Sequence, residues 1–203
     1  MRRLPIYLLL DVSNGMIGEP IYAVEYGIQT MHAALLNDPN ASDIAYLSVI
    51  TFSDFVQQVV PLTELNQFVP PQLKVGGITS MGAALKYVAE CVDREVDKGD
   101  WKPLVFIMTD GTATDNVDAG LEEFKKREWG VVVACGLEAG ADTDELKKIT
   151  EVVVKLNTVD TLKAFFKWVT ASISRSSERI KWDGGEPEKW DMLHLAPQEI
   201  EIL

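Results

Sequence analysis

Apolar residues in this chain follow two alternating patterns, short continuous runs and longer stretches with helical spacing. The runs predict buried strands over residues 4–10, 44–52, 104–108, 131–134 and 152–156. Apolar positions three or four residues apart predict helices over residues 20–35, 81–96, 117–127, 143–150 and 162–173. This alternation is typical of an α/β fold with a doubly wound, Rossmann-like, mostly parallel sheet and helices on both faces.

One connection in this pattern is too short for a parallel crossover. The apolar segment Phe55–Val60 follows the second strand after only Ser53 and Asp54. A link of two residues is long enough for a hairpin but too short for a crossover to a parallel strand. We therefore predict six strands, five of them parallel, with Phe55–Val60 as an antiparallel edge. Prolines at positions 61, 70 and 71 predict an irregular segment from Pro61 to Leu73.

The regular pattern ends near residue 175. We divide the chain into a domain of residues 1–175 and an extended tail of residues 176–203. Trp182 and Trp190 are costly to leave in water. We expect the tail to dock on the domain through these two residues, and docking on a partner is the alternative.

The composition narrows the class of protein. With 203 residues and 47% hydrophobic residues, the chain fits one globular domain with a full core. A net charge of −12 argues against a nucleic-acid partner, whose phosphates would be repelled. No apolar run approaches the length of a membrane span, about 18 residues, and no signal peptide is visible. We therefore expect no membrane partner and a cytoplasmic protein.

Cysteine and histidine usage argues against a zinc site of the common Cys/His type. The chain has two cysteines, Cys91 and Cys135, and two histidines, His32 and His194, without a C-x-x-C pair. We expect both cysteines to be buried as free thiols.

Four residues with side-chain oxygens lie where strands end or where a loop opens a helix. Asp11 and Ser13 follow the first strand, Asp110 follows the strand 104–108, and Thr79 lies in a glycine-flanked loop. The carboxyl ends of parallel strands share one rim, where ligands bind. Two carboxylates and two hydroxyls there form an all-oxygen site suited to a divalent cation: Mg²⁺ first, with Mn²⁺ or Ca²⁺ as alternatives. A simpler interpretation is that Asp11, Ser13 and Thr79 only cap helices, but capping does not explain three such residues on one edge.

Enzymatic interpretations have weaker support. The chain has no glycine-rich phosphate-binding loop of either common type. Ser13 lacks a neighbouring base, because His32 is expected within a helix and His194 in the tail. If Asp11 were a nucleophile that becomes phosphorylated, the chain would be a phosphatase. That chemistry normally requires a second carboxylate two residues further on, and the residue at that position is Ser13. We expect no enzymatic activity and no catalytic residues.

The rim residues resemble the metal-dependent adhesion site (MIDAS) of the von Willebrand factor A family. That family's pattern is D-x-S-x-S after the first strand, a Thr in a later loop and an Asp in a T-D-G turn. The matching residues here are Asp11, Ser13, Thr79 and Asp110. The resemblance covers roughly residues 4 to 173, and it implies a module that binds a glutamate or aspartate of a partner protein through the cation.

One position departs from the family pattern, since Gly15 stands where the second Ser is expected. Three outcomes are open: water fills the place of the missing hydroxyl, Asn14 or Ser80 supplies an oxygen, or the site holds no metal. A scaffold of the same fold that binds its partner without metal is therefore the alternative function.

Longer segments resemble the TerY-like group of bacterial tellurium-resistance systems. These segments are LPIYLLLD from Leu4, GEP from Gly18, AYLSVITF from Ala45, VVPLT from Val59 and GDWKPLV from Gly99. This resemblance implies a bacterial, cytoplasmic stress-response protein that works beside kinase-like and phosphatase-like proteins.

Overall fold

The structure is a computed structural model that describes residues 2–137, 142–186 and 196–203. The strands in these ranges are β1 (Leu4–Asp11), β2 (Ala45–Phe52), β3 (Val56–Glu64), β4 (Leu104–Thr109), β5 (Val131–Leu137), β6 (Val153–Leu156) and β7 (Glu201–Ile202). The helices are α1 (Glu19–Leu36), α2 (Met81–Glu95), α3 (Val117–Lys125), α4 (Thr143–Ile149) and α5 (Val159–Asp183), with a 3₁₀ turn at Asn14–Met16.

The strands form one sheet in the order β3-β2-β1-β4-β5-β6-β7. The five inner strands are parallel, and β3 and β7 pair antiparallel at the two edges. The predicted fold class, the five parallel strands and the antiparallel edge after Ser53-Asp54 are confirmed. The predicted total of six strands is wrong, because β7 adds a seventh strand too short to show a sequence period.

The segment expected to be irregular from Pro61 begins as strand. β3 continues through Pro61 to Glu64 before the chain leaves the sheet. Proline is tolerated there because β3 is an edge strand, where one N–H can be spared.

The sheet buries two apolar clusters, one on each face. Along β1, all eight residues are buried, and residues 6–10 alternate between the clusters, with Leu8 on one face and Leu9 on the other. The first cluster contains the buried faces of α1 and α5, and the second those of α2 and α3. Burial on both faces explains why these strands read as continuous apolar runs.

The end of the chain differs from the predicted extended tail. Helix α5 continues past residue 175 to Asp183, with Ser176 and Ser177 buried. The expectation of an extended tail is therefore wrong for residues 176–183. Small buried serines concealed the helical period, because they pack like apolar residues without counting as such.

The last residues of the chain contact the domain through residues other than the predicted tryptophans. Trp182 is 80% exposed, so docking through Trp182 is wrong, and Trp190 lies outside the described residues. Instead, Ile200 is buried, and the backbone N–H of Leu203 donates to Val153 O at 2.9 Å.

Both cysteines are free and buried, as predicted. Burial raises the pKa of the Cys91 thiol to about 11, which makes it an unreactive group near neutral pH. None of the helices in the described ranges is long and apolar enough to cross a bilayer.

Helices α2 and α3 approach each other through two glycines. A Cβ on Gly120 would lie 1.9 Å from the carbonyl oxygen of Gly82. A Cβ on Gly82 would lie 2.2 Å from the carbonyl oxygen of Asn116. Both obstacles are backbone atoms, so the helix pair must separate to admit a side chain.

We expect Gly120→Ala to destabilise the protein by about 1–3 kcal/mol through overpacking, although alanine is the better helix former. Urea unfolding measures the change. Gly99→Ala is the matched control, because a Cβ there meets nothing within 4 Å. Equal stability of the two variants would show that the contact between the helices is loose.

Candidate metal-binding site

Two adjacent parallel strands bring two carboxylates to the same rim. β1 ends at Asp11 and pairs with β4, which ends at Thr109 just before Asp110. Asp11 has no exposed surface, Ser13 is buried, and Asp110 is partly exposed. The rim therefore presents one buried and one accessible carboxylate.

Hydrogen bonds connect three of the four predicted residues. Asp11 Oδ1 accepts from the Ser13 backbone N–H at 2.8 Å, and Asp11 Oδ2 accepts from Thr109 Oγ1 at 2.6 Å. Ser13 Oγ donates to Asp110 Oδ1 at 3.3 Å. Thr109 was not among the predicted site residues. Its signal was available in the sequence, as the hydroxyl residue of the T-D-G turn.

Thr79 reaches this rim through a loop tied to the first one. The Gly76 N–H donates to Val12 O at 2.8 Å, and the Asn14 N–H donates to Gly77 O at 3.0 Å. Gly77 has a φ of +90°, a conformation that favours glycine. A Cβ built on Gly111, next to Asp110, would lie 3.4 Å from Thr79 Oγ1. The structure thus brings the Thr79 hydroxyl to the turn that carries Asp110.

The side-chain hydroxyls of Ser13 and Thr79 do not cap helices. Ser13 precedes the 3₁₀ turn without a side-chain cap bond and donates to Asp110 instead. The first N–H groups of α2 are capped by Asp115, which accepts from Gly82 at 2.9 Å and Ala83 at 2.8 Å. The hydroxyls of Ser13 and Thr79 are therefore free of a capping role.

The charges at the rim suit a cation. The pKa of Asp110 is raised, first by partial burial of its carboxyl and second by the negative charge of Asp11. No Lys or Arg in the described ranges forms an ion pair with either carboxylate. Two carboxylates with neutral hydroxyl neighbours fit an oxygen-coordinated divalent cation. The described residues hold no cluster of three or more His, Cys, Asp or Glu, so a cation at this rim would also need hydroxyl oxygens as ligands.

Gly15 lies directly beside the Asp110 carboxylate. A Cβ at Gly15 would lie 1.6 Å from Asp110 Oδ2 and 2.7 Å from its Cγ. The carboxylate therefore occupies the space that a side chain at position 15 would need. Asn14 is already engaged, because its Oδ1 accepts from the Gly77 N–H at 3.2 Å.

The chain belongs to the von Willebrand factor type A domain family, whose model matches residues 6–167. This match includes Asp11, Ser13, Thr79 and Asp110. No similar protein is found among those with curated functions.

Solved structures share this fold at low sequence identity. Proximal thread matrix protein 1 from the mussel byssus, with a zinc-occupied MIDAS motif, is 22% identical with a TM-score of 0.64, over 84% of this chain and 48% of that one. The pilus adhesin SpaC from Lactobacillus rhamnosus GG is 14% identical with a TM-score of 0.73, over 86% and 30%. A von Willebrand factor type A protein from Catenulispora acidiphila is 14% identical with a TM-score of 0.66, over 86% and 43%. The chain thus spans less than half the length of each.

We expect Asp110→Ala to leave the fold intact and to abolish any rise in melting temperature caused by Mg²⁺ or Mn²⁺. A cation bound only by the native state at a hundredfold excess over its Kd adds about 2.7 kcal/mol of stability. Thermal melts with the cation and with EDTA measure the shift. Asp118→Ala, which removes an exposed carboxylate on α3, should keep the parent's shift. If Asp110→Ala also keeps it, the cation binds elsewhere.

We expect Gly15→Ser to act in opposite directions with and without metal. Without metal, the new side chain displaces the Asp110 carboxylate from Ser13, at a cost of about 1 kcal/mol for the lost hydrogen bond. Backbone strain adds nothing, because the φ of Gly15 is not positive. With metal, the added hydroxyl should tighten binding of Mg²⁺ or Mn²⁺, measured by calorimetry. Weaker binding by a folded variant would show that Asp110 needs the space beside Gly15.

Proposed function

We propose that this chain is a protein-interaction module that binds a carboxylate of a partner protein through a divalent cation. Asp11, Ser13, Thr79 and Asp110 would hold the cation, with Mg²⁺ as the best fit and Mn²⁺ or Ca²⁺ as alternatives. The observation that carries the proposal is the meeting of two carboxylates with hydroxyls on one rim, without a basic partner in the described residues. The cation supplies the attraction that allows a negative partner residue to approach negative ligands.

The second candidate is a scaffold of the same fold that binds its partner without metal. The position of Asp110 favours it, since the carboxylate fills the space beside Gly15 and already accepts from Ser13. Metal titration against melting temperature separates the two functions, because only the first requires a cation-dependent shift.

Binding, and not catalysis, is the role proposed for this rim. A phosphatase is a weaker candidate, because position 13 carries a hydroxyl and not a second carboxylate. His32, a possible base, is on α1 and its Nε2 is 2.8 Å from the carbonyl oxygen of Leu65. That contact fixes the imidazole away from the rim loops.

The setting that we propose is a bacterial tellurium-resistance or stress-response system in the cytoplasm. The support is the resemblance of five segments to the TerY-like group. Partners would then include kinase-like and phosphatase-like proteins of the same system. Genes for such proteins beside the gene for this chain would support the setting, and their absence from related genomes would oppose it.

The carboxylate-binding step is testable with Mn²⁺ as the probe ion. We expect protein-bound Mn²⁺ to relax water protons strongly, and a short peptide with one glutamate to lower that effect by displacing a coordinated water. The same peptide with glutamine is the control. Failure of Mn²⁺ to bind, or equal effects of the two peptides, would contradict the proposal.

A further inference from the structure

Three large apolar side chains are exposed on the loops at the candidate site. Ile17 is 60% exposed, Phe55 81% and Ile78 53%. Ile17 follows the loop of Asp11 and Ser13, Ile78 precedes Thr79, and Phe55 lies in the β2–β3 hairpin. We call these three residues the apolar collar.

Backbone hydrogen bonds fix the collar loops to one another. The Ile78 N–H donates to Asp54 Oδ1 at 3.0 Å, which ties its loop to the hairpin of Phe55. Gly77 O accepts from the Asn14 N–H at 3.0 Å, and Asn14 O accepts from the Ile17 N–H at 3.3 Å. The collar is therefore carried by one connected set of loops that includes the site residues.

The surroundings of the collar are acidic. Residues 11–19, 53–55, 76–80 and 110–118, which form the loops that carry the collar and the site residues, contain no Lys or Arg, and exposed Lys74 lies two positions before Gly76. The exposed acids in these segments are Glu19, Asp54 and Asp118. A single bound cation neutralises its own ligands but not charges about one Debye length away, roughly 10 Å.

These observations define the partner's surface. We propose that the partner contacts the rim with an acidic residue beside one or more apolar side chains, and that Lys or Arg residues flank this group. This inference rests on the proposed function for the acidic residue. The apolar and basic features rest on the collar and on the surrounding acids alone.

Each feature answers a separate physical requirement. An acidic residue alone meets net repulsion from the outer acids, which flanking Lys or Arg would convert to attraction. Apolar side chains bury Phe55, Ile78 and Ile17, whose exposure is otherwise costly in water. The collar thus supplies affinity that does not depend on charge.

Selection from a random-peptide phage library tests the proposal, with the full chain immobilised in Mg²⁺. We expect enriched peptides to combine Asp or Glu with Leu, Ile, Val or an aromatic residue and with Lys or Arg nearby. A synthetic peptide of the enriched sequence then gives Kd values for variants.

Two collar variants are compared with a matched control. We expect Phe55→Ser and Ile78→Ser to weaken peptide binding about tenfold, as for hot-spot residues, without changing the Kd for Mg²⁺. Trp182→Ser is the control, since Trp182 is 80% exposed against 81% for Phe55. Trp182 lies at the far end of α5, where Lys181 pairs with Asp43 at 3.1 Å just before β2 begins. Its replacement should leave peptide binding unchanged.

The possible outcomes separate this inference from the proposed function. Acidic, Mg²⁺-dependent peptides without apolar or basic residues, unaffected by Phe55→Ser, would overturn the collar and leave the metal-mediated function standing. Apolar and basic peptides that bind equally in EDTA and lack an acid would overturn the metal-mediated function and support the collar. Failure to enrich any sequence, or equal effects of Phe55→Ser and Trp182→Ser, would overturn the collar.

Discussion

The buried carboxylate of Asp11 is the interaction on which the arrangement of the rim depends. A carboxylate without exposed surface costs several kcal/mol to remove from water unless it is hydrogen-bonded. Asp11 is held by the Ser13 N–H on its own loop and by the Thr109 hydroxyl on the neighbouring strand. Hydrogen bonds to a charged acceptor contribute about 1.5–3 kcal/mol each, so the pair fixes the end of β1 against the end of β4. Asp110 follows Thr109 directly, and its position beside Ser13 is a consequence of this pairing.

The sequence was informative about this site because strand ends are visible in it. Asp11 and Asp110 follow continuous apolar runs, and such runs are buried parallel strands whose carboxyl ends share one rim. The loop of Thr79 was located by its glycines, and Gly77 indeed has positive φ. The contribution of Thr109 was not predicted although it belongs to the T-D-G turn, because a threonine at the end of a buried strand was interpreted as a β-branched core residue.

Other features were hidden for a different reason, since they depend on packing and not on local pattern. The two-residue strand β7 is defined by its antiparallel pairing with the edge of β6. The last turns of α5 contain buried serines, so the apolar period fades while the helix continues to Asp183. Trp182 was assigned a docking role on hydrophobicity alone, yet it faces solvent. Hydrophobicity identifies a residue that gains from contact, but not whether the fold provides that contact.

The relation between Gly15 and Asp110 shows how one substitution in a motif changes the balance of a site. The Asp110 carboxylate occupies the space that a side chain at position 15 would need, and it accepts a hydrogen bond from Ser13 Oγ. A cation bound here would compete with that hydrogen bond, whose net contribution is about 1 kcal/mol, but it would also relieve the repulsion between Asp11 and Asp110. On this reasoning the missing hydroxyl would weaken the proposed cation binding without removing the electrostatic reason for it.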